Sequence, residues 1–380
     1  GQETPASEAD LAELTGLAGA FDGLDHGVVQ LVSDFDVLRS RERFDPEFDL
    51  VEQLAIASKR PLAMTWLQRD PGGDQYRQVA RRVEAAVERG LPMYLQAAAR
   101  GIGVITGLDA SFHPFMGFPG YKEVAALPLA ERAAALREPA RRARILAENS
   151  DRLAGDGSSV PPLVDLLLAR IDMISARMFP LGDVANYAPT LQDSMLLRAK
   201  ARGIAPLAAI YDYLCEGDGG KLLYFPIFNY NDGNLDVVGE MLRHPRALFS
   251  LGDAGAHVGT ICDASFSTFL LTHWVAQGYI PLQQAVQMLS SRNADYLGLR
   301  DRGRIAVGQR ADLNLIDPAT LALRKPQLVR DLPAGGKRFL QTATGYRGSW
   351  VAGQCVQREG VITGARPGKL VRMGAARLRP

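Results

Sequence analysis

Apolar residues in the first hundred positions follow two alternating spacings. Helical spacing, with apolar residues three and four positions apart, is found over residues 11–18, 46–56 and 79–87. Short apolar runs stand between and after these stretches, at residues 28–33, 62–67 and 93–97. The first spacing favours amphipathic helices and the second favours buried strands. Strands and helices that alternate about every thirty residues are typical of βαβ units, so this part of the chain predicts a parallel sheet covered by helices.

The alternation continues less regularly after residue 205. Helical spacing predicts helices over residues 207–214, 235–242, 266–276 and 282–289, and apolar runs predict further strands at residues 222–225 and 247–251. The fold class that this order of elements predicts is α/β.

Two stretches depart from this pattern. Residues 112–192 are rich in proline, arginine and alanine and contain several helical patches, which predicts a helical insertion over the carboxyl edge of the sheet. Near the end of the chain, residues 311–317 alternate apolar and polar side chains and residues 349–357 predict a hairpin. We therefore expect an α/β part over residues 1–302 and a small all-β part over residues 303–380.

Composition and charge exclude several classes of function. The 43 lysine and arginine residues nearly balance the 42 aspartate and glutamate residues, and the formal net charge is +1. Binding to nucleic acid or to an anionic membrane surface needs a clustered basic excess, so neither partner is expected. Hydrophobic residues make up 47% of the chain, which argues against disorder. No apolar stretch approaches the ~20 residues of a membrane span.

The number and spacing of the cysteines indicate whether the protein works in an oxidising or a reducing compartment. Cys215, Cys262 and Cys355 are far apart and show no C-x-x-C spacing. This argues against a disulfide framework or a structural zinc site and favours a reducing environment. The first residues also lack the basic and apolar regions of an export signal, so we expect a cytoplasmic protein.

Polar residues follow several predicted strands, at the edge where the active sites of parallel sheets form. Asp34 follows the first strand, and an aspartate in this place either forms a turn or contributes to a site. Arg100 follows the third strand and either holds a substrate carboxylate through two parallel hydrogen bonds or makes a structural ion pair. In an amide-rich loop, Asn231, Asp232 and Asn234 either orient a polar substrate or simply begin the next helix.

The strongest candidate is the segment Leu-Gly-Asp-Ala-Gly-Ala-His at residues 251–257. A carboxylate at the end of a strand, followed by small residues and an imidazole, is typical of sites that contact a metal or an activated water. Asp253 is therefore the best candidate both to ligate a metal and to accept a proton from its water, and His257 lines the same site. The alternative is an Asx turn with a surface histidine. His113, which lies among aromatic residues, either lines the pocket or is a buried core residue.

The same segment carries a resemblance to a known family. Together with residues 297–313, Leu-Gly-Leu-Arg-Asp-Arg-Gly-Arg-Ile-Ala-Val-Gly-Gln-Arg-Ala-Asp-Leu, it strongly resembles the amidohydrolase superfamily. Within that superfamily the chain looks like the D-aminoacylase (N-acyl-D-amino-acid deacylase) branch, which the stretches 32–35, 107–115 and 230–234 also fit. The resemblance extends over nearly all of the chain.

This resemblance implies a fold, a cofactor and a reaction. The fold would be a (β/α)8 TIM-type barrel with a small β-sandwich assembled from both chain ends. The cofactor would be one or two divalent metals, commonly zinc, that generate hydroxide for the hydrolysis of an amide. The aspartate after the last barrel strand is a family residue and corresponds to Asp253, so this residue is both the expected catalytic group and the expected metal ligand.

The departures from the family pattern concern histidines. The H-x-H motif after the first barrel strand has no counterpart, because the five histidines of this chain are isolated from one another. Histidines expected after the fifth and sixth strands are also missing, at residues 33–34 and 65–68. The resemblance therefore implies that this chain corresponds to the carboxyl-terminal two-thirds of such a protein, with the second part of the barrel. Most metal ligands are then expected outside this segment.

These considerations predict a metal-dependent amidohydrolase that acts on the N-acyl bond of an N-acyl-amino-acid-like substrate. An open half-barrel would expose unpaired strand edges, so we expect the chain to be a fragment of a longer protein or to pair with a first-half chain or with another copy of itself. The alternative is a non-catalytic or partner-dependent homologue that lacks a complete metal site.

Overall fold

The computed structural model describes residues 9–33, 35, 40–154, 163–252 and 257–373. The helices are α1 (Leu11–Ala18), α2 (Phe44–Ser58), α3 (Gln75–Glu88), α4 (Pro119–Lys122), α5 (Leu129–Leu136), α6 (Pro139–Ala147), α7 (Leu163–Ala169), α8 (Ile171–Ile174), α9 (Met195–Arg202), α10 (Pro206–Leu214), α11 (Asp236–Arg243), α12 (Phe266–Phe269), α13 (Leu282–Leu289) and α14 (Ser291–Tyr296). The strands are β1 (Val29–Leu31), β2 (Leu62–Thr65), β3 (Met93–Ala97), β4 (Ile102–Thr106), β5 (Phe179–Pro180), β6 (Leu223–Phe228), β7 (Ala247–Phe249), β8 (Leu313–Ile316), β9 (Ala322–Leu323), β10 (Gln327–Val329), β11 (Arg338–Leu340), β12 (Ala343–Thr344), β13 (Tyr346–Val351), β14 (Gln354–Arg358) and β15 (Val361–Ile362). None of the helices in these ranges has the length and apolar character needed to cross a membrane.

Four strands form a parallel sheet in the order β1-β2-β3-β7. Buried residues of α2, α3 and α11, among them Phe48, Val83 and Val238, share a core with Leu62 and Leu95 of this sheet. Every residue of β2 is buried, as expected for an inner strand of a parallel sheet. The alternating spacing of the first hundred residues is therefore confirmed as a helix-covered parallel sheet.

A second sheet is antiparallel and has the order β4-β6-β5. The sequence predicts β6 as a later strand of the parallel sheet, and this placement is wrong. Its partner β4 is not predicted at all. The backbones of the two strands approach closely at Gly103, where an added Cβ would lie 2.2 Å from the carbonyl oxygen of Phe225. Such glycines inside a strand permit a close backbone approach but weaken the sequence signal of the strand.

Gly103→Ala should therefore destabilise the protein. The new methyl group can be accommodated only if β6 shifts, and overpacking of this kind costs about 1–3 kcal/mol. The denaturant midpoint of unfolding measures the effect. Gly16→Ala is the matched control, because nothing lies within 4 Å of an added Cβ in α1, and alanine there should stabilise the helix by up to ~1 kcal/mol. Equal midpoints for the two variants would contradict the close approach at Gly103.

Residues 112–192 contain α4 to α8, so the helical patches predicted there are confirmed. These helices pack with α9 and α10 around a second core, which includes Phe115, Leu136, Ile145 and Tyr211. The role of the segment as an insertion over the sheet, and the domain boundaries, stay predictions.

The end of the chain forms short antiparallel strands. A four-stranded sheet has the order β15-β14-β13-β8, and β9 with β12 and β10 with β11 make two-stranded ladders. The predicted hairpin is confirmed, because β13 and β14 pair and turn at Ala352 and Gly353, whose φ angles are 50° and 77°. Closure of the parallel sheet into a barrel and completion of a β-sandwich stay predictions.

Candidate functional site

The parallel sheet carries a row of polar side chains on the face opposite its helix-packed core. The strand register places Gln30, Thr65 and Gln96 on this face, and Ser250 directly follows β7. Gln30 Nε2 donates to Gln96 Oε1 over 3.1 Å, and Gln96 Nε2 donates to Ser250 Oγ over 3.2 Å. The Thr65 hydroxyl is buried without a hydrogen-bond partner among the described residues. Gln30, Thr65 and Ser250 were not predicted as site residues, although polar side chains at every second position of a buried strand are the signal for such a row.

The amide-rich loop is fastened to the end of β2 by Gln68. The backbone N–H of Gln68 donates to Asn229 Oδ1 over 2.7 Å, and the N–H of Asn229 donates to the Gln68 carbonyl over 3.1 Å. The side chain of Gln68 accepts from the N–H of Asn231 over 3.2 Å and donates to Asp232 Oδ2 over 3.1 Å. Asn231 and Asp232 thus lie at the carboxyl edge of the sheet. Asn234 instead accepts from the N–H of Asp236 over 2.9 Å at the start of α11, as in the helix-entry alternative.

His113 is buried in the second core. Its Nδ1 accepts from the N–H of Phe115 over 3.2 Å, and its ring meets the Tyr121 ring edge-on with the centres 4.5 Å apart. Burial lowers the pKa of His113 to about 3, and the nearby charges of Arg132 and Lys337 act in the same direction. The imidazole is therefore neutral at physiological pH, with its proton on Nε2. These contacts agree with the interpretation of His113 as a buried core residue.

The low pKa of His113 predicts a pH-dependent stability. Below its usual pKa of 6.5 the unfolded chain binds a proton here and the folded protein does not, so stability is retained above pH 6.5 and is lost as the pH falls from 6.5 towards 3. The loss should reach about 2 kcal/mol at pH 5 relative to neutral pH. His113→Asn, which keeps an acceptor near the position of Nδ1, should remove this part of the pH dependence of the denaturant midpoint. His257→Asn is the control, because that side chain is exposed, and an identical change in both variants would contradict the assignment.

Arg100 is also buried, directly beyond the end of β3. Its guanidinium group donates to Ser265 Oγ over 3.0 Å and to the carbonyl oxygen of Cys262 over 2.8 Å. Asp263 Oδ1 lies 3.5 Å from Nη2. These contacts agree with the structural alternative and leave no exposed guanidinium for a substrate carboxylate.

The central segment of the sequence prediction is only partly described. Asp253 and Asp34 lie outside the described residues. His257 is exposed and has a φ of 50°, and its carbonyl oxygen accepts from the N–H groups of Thr260 and Ile261 over 2.8 and 2.9 Å. The turn that follows the segment is therefore stabilised by hydrogen bonds within its own backbone.

The described residues do not form a metal centre. No group of three or more histidine, cysteine, aspartate or glutamate side chains within the described ranges is arranged to hold an ion. The histidines have separate local contacts: His26 with Asp25, His244 with Glu84, and His273 stacked on Phe269. The side chains in the described ranges are therefore not sufficient by themselves to hold a metal ion.

Comparison with known proteins identifies the family. A model described as the amidohydrolase family matches residues 6–357, so the chain belongs to the amidohydrolase family. No curated protein sequence matches it.

Two solved structures indicate which members resemble its fold. One is a D-aminoacylase, from a study of its binuclear metal centre, with 16% identity, a TM-score of 0.50, and coverage of 96% of this chain and 59% of that chain. The other is N-acyl-D-glutamate deacylase from Bordetella bronchiseptica, complexed with zinc and a phosphonate that mimics the tetrahedral intermediate. It has 16% identity, a TM-score of 0.50, and coverage of 97% of this chain and 60% of that chain. At this identity the similarity concerns the fold, and this chain spans about three-fifths of the length of either relative.

Proposed function

We propose that this protein is a metal-dependent amidohydrolase that hydrolyses the N-acyl bond of an N-acyl-amino-acid-like substrate, as a D-aminoacylase-type deacylase. The observation that carries the proposal is the polar carboxyl edge of a parallel sheet in a chain whose family match extends over residues 6–357. The fold similarity to two deacylases supports it. In this account the parallel sheet is part of a TIM-type barrel and the carboxyl-terminal strands are part of a β-sandwich. The three free cysteines support a cytoplasmic location.

Hydrolysis of an amide requires that a water be deprotonated and that the leaving nitrogen be protonated. One carboxylate performs both steps if it accepts the proton first and then donates it, and such general acid–base catalysis contributes typically 10²–10⁴-fold. We assign this role to Asp253. Asn231, Asp232 and the exposed His257 are the proposed lining residues. An amide substrate needs both donors and acceptors, and the side-chain amide of Asn231 carries both, with no hydrogen-bond partner for its Oδ1 among the described residues.

The proposed cofactor is a divalent metal, with zinc the first choice. Asp253 is the one ligand that we assign from this chain, and the other ligands would lie outside the residues that the structure describes. When bound, the metal would supply Lewis-acid activation of the substrate carbonyl and of the attacking water.

A substrate panel tests the proposal. We expect the zinc-supplemented protein to release free amine from N-acyl-D-amino acids and to act more slowly on the matching L-isomers. The acyl group and the side chain are varied separately, and amine release is followed with time. Equal rates on both isomers would remove the D-aminoacylase assignment, and absence of release from every amide would remove the hydrolase assignment.

A second candidate is a non-catalytic or partner-dependent homologue. It is favoured by the lack of a group of metal-ligating side chains within the described ranges. This alternative predicts no bound zinc in the isolated chain, and turnover only when a chain that carries the remaining ligands is added. Stoichiometric zinc with turnover by the chain alone would exclude it.

A further inference from the structure

The guanidinium group of Arg100 is enclosed by aromatic rings. Its central carbon lies 3.4 Å from the centre of the Tyr187 ring, 4.8 Å from that of Phe266 and 5.8 Å from that of Phe269. Arg100 is almost completely buried, with 1% of its surface exposed. A planar cation stacked on aromatic faces away from water makes a strong, orientation-dependent contact.

Polar contacts tie the same group to the segment that follows β7. The backbone of Cys262 and the hydroxyl of Ser265 each accept a hydrogen bond, and Asp263 supplies a carboxylate. Arg100 itself lies between β3 and β4. One side chain therefore connects the end of β3 to residues 262–266.

Tyr187 connects Arg100 to two further parts of the molecule. It belongs to the helical segment 112–192, and its hydroxyl donates to Gln341 Oε1 over 3.1 Å, in the carboxyl-terminal strands. The Tyr224 ring packs edge-on against it with the centres 5.2 Å apart, and the Tyr224 hydroxyl donates to the carbonyl of Gly101. The position of the Arg100 guanidinium is thus determined from several sides.

The backbone around Arg100 also holds both ends of the segment that contains Asp253. On one side, the N–H of Ser250 donates to the carbonyl of Ala97 over 3.0 Å. On the other, the N–H of Ile105 donates to the carbonyl of Thr260 over 2.7 Å. Residues 97–105, with Arg100 near their middle, are therefore hydrogen-bonded to the chain both before and after Asp253.

We propose that Arg100 is a positioning residue that fixes residues 257–266, which follow Asp253 in the chain, against the end of β3. It acts through Ser265, Cys262 and the aromatic rings and does not touch substrate. Its catalytic consequence rests on the proposed function, but the structural coupling does not. Lysine is not an equivalent, because its ammonium group offers neither a flat face to the rings nor the forked pair of donors.

Hydrogen exchange measured by mass spectrometry tests the coupling in the intact protein. In Arg100→Lys, we expect exchange of peptides covering residues 257–269 to rise at least about tenfold, while the hairpin of β13 and β14 exchanges as in the wild type. Tyr187→Leu, which removes the ring, should have the same local effect. Tyr187→Phe is the matched control, since it keeps the ring and loses only the hydrogen bond to Gln341.

The outcomes separate the possible roles. Unchanged exchange at residues 257–269 in both Arg100→Lys and Tyr187→Leu would overturn the proposal, as would an equal rise in the β13–β14 hairpin, which indicates general destabilisation. If Arg100→Lys does not fold, the two Tyr187 variants still decide, because Leu and Phe should differ. With an active enzyme, Arg100→Lys should lower kcat with little change in KM, whereas a rise in KM alone would show that Arg100 binds substrate. Absence of hydrolysis by the wild type would reject the proposed function and leave the exchange result unaffected.

Discussion

Asp253→Asn should lower kcat for N-acyl hydrolysis by about 10²–10⁴-fold, because the amide keeps the size of the side chain but cannot accept and return a proton. The initial rate of amine release at saturating substrate measures the effect. The protein should remain folded, since the substitution preserves shape.

The matched control for that substitution is Asp331→Asn. Asp331 forms an exposed ion pair with Arg338, at 2.7 Å, near the carboxyl-terminal strands. Its loss should leave kcat unchanged, since exposed ion pairs contribute about 0–1 kcal/mol even to stability. If Asp253→Asn turned over at the rate of Asp331→Asn, the assignment of Asp253 would be wrong.

Phe48→Ala should destabilise the folded protein by about 3–5 kcal/mol, through lost burial and the cavity that remains. Phe48 is fully buried in α2, with its ring centre 5.7 Å from that of Phe35 and 5.9 Å from that of Phe44. The Arg82 guanidinium lies 4.6 Å from the ring centre and binds carboxylates of α2. The ring therefore anchors α2 to both α3 and the segment before it.

The control for Phe48 lies on the same helix. Ile56 is 49% exposed, so Ile56→Ala should change the free energy of unfolding by less than about 1 kcal/mol. Urea denaturation of both variants, followed by circular dichroism, compares them directly. Similar midpoints would show that α2 does not depend on the aromatic cluster.

Local periodicity predicted the elements whose formation depends on nearby residues. The bounds predicted for β3 and for α13 agree with the structure at Met93–Ala97 and Leu282–Leu289. In each, the apolar face is continuous along the chain, so the period is readable without knowledge of the partner. The family prediction from residues 251–257 and 297–313 is likewise confirmed by the match to the amidohydrolase family.

Features that depend on distant partners could not be predicted from the chain alone. The pairing of β4 with β6 joins residues more than a hundred positions apart. A glycine is needed at position 103 because the backbone of Phe225 lies against it, and that neighbour cannot be read from the nearby sequence. The sequence left two roles open for Arg100, because the groups that enclose it come from elsewhere: Ser265 is 165 positions away. The row Gln30, Gln96 and Ser250 was missed as a set because its members lie on three different strands or strand ends.

Metal-dependent amine release from an N-acyl-D-amino acid by the purified protein tests the central claim most directly. The protein is first treated with a chelator and then titrated with zinc, and free amine is measured at each step. We predict that release stops after chelation and returns as zinc is restored. A protein that binds zinc, remains folded and cleaves no N-acyl-amino acid would contradict the account.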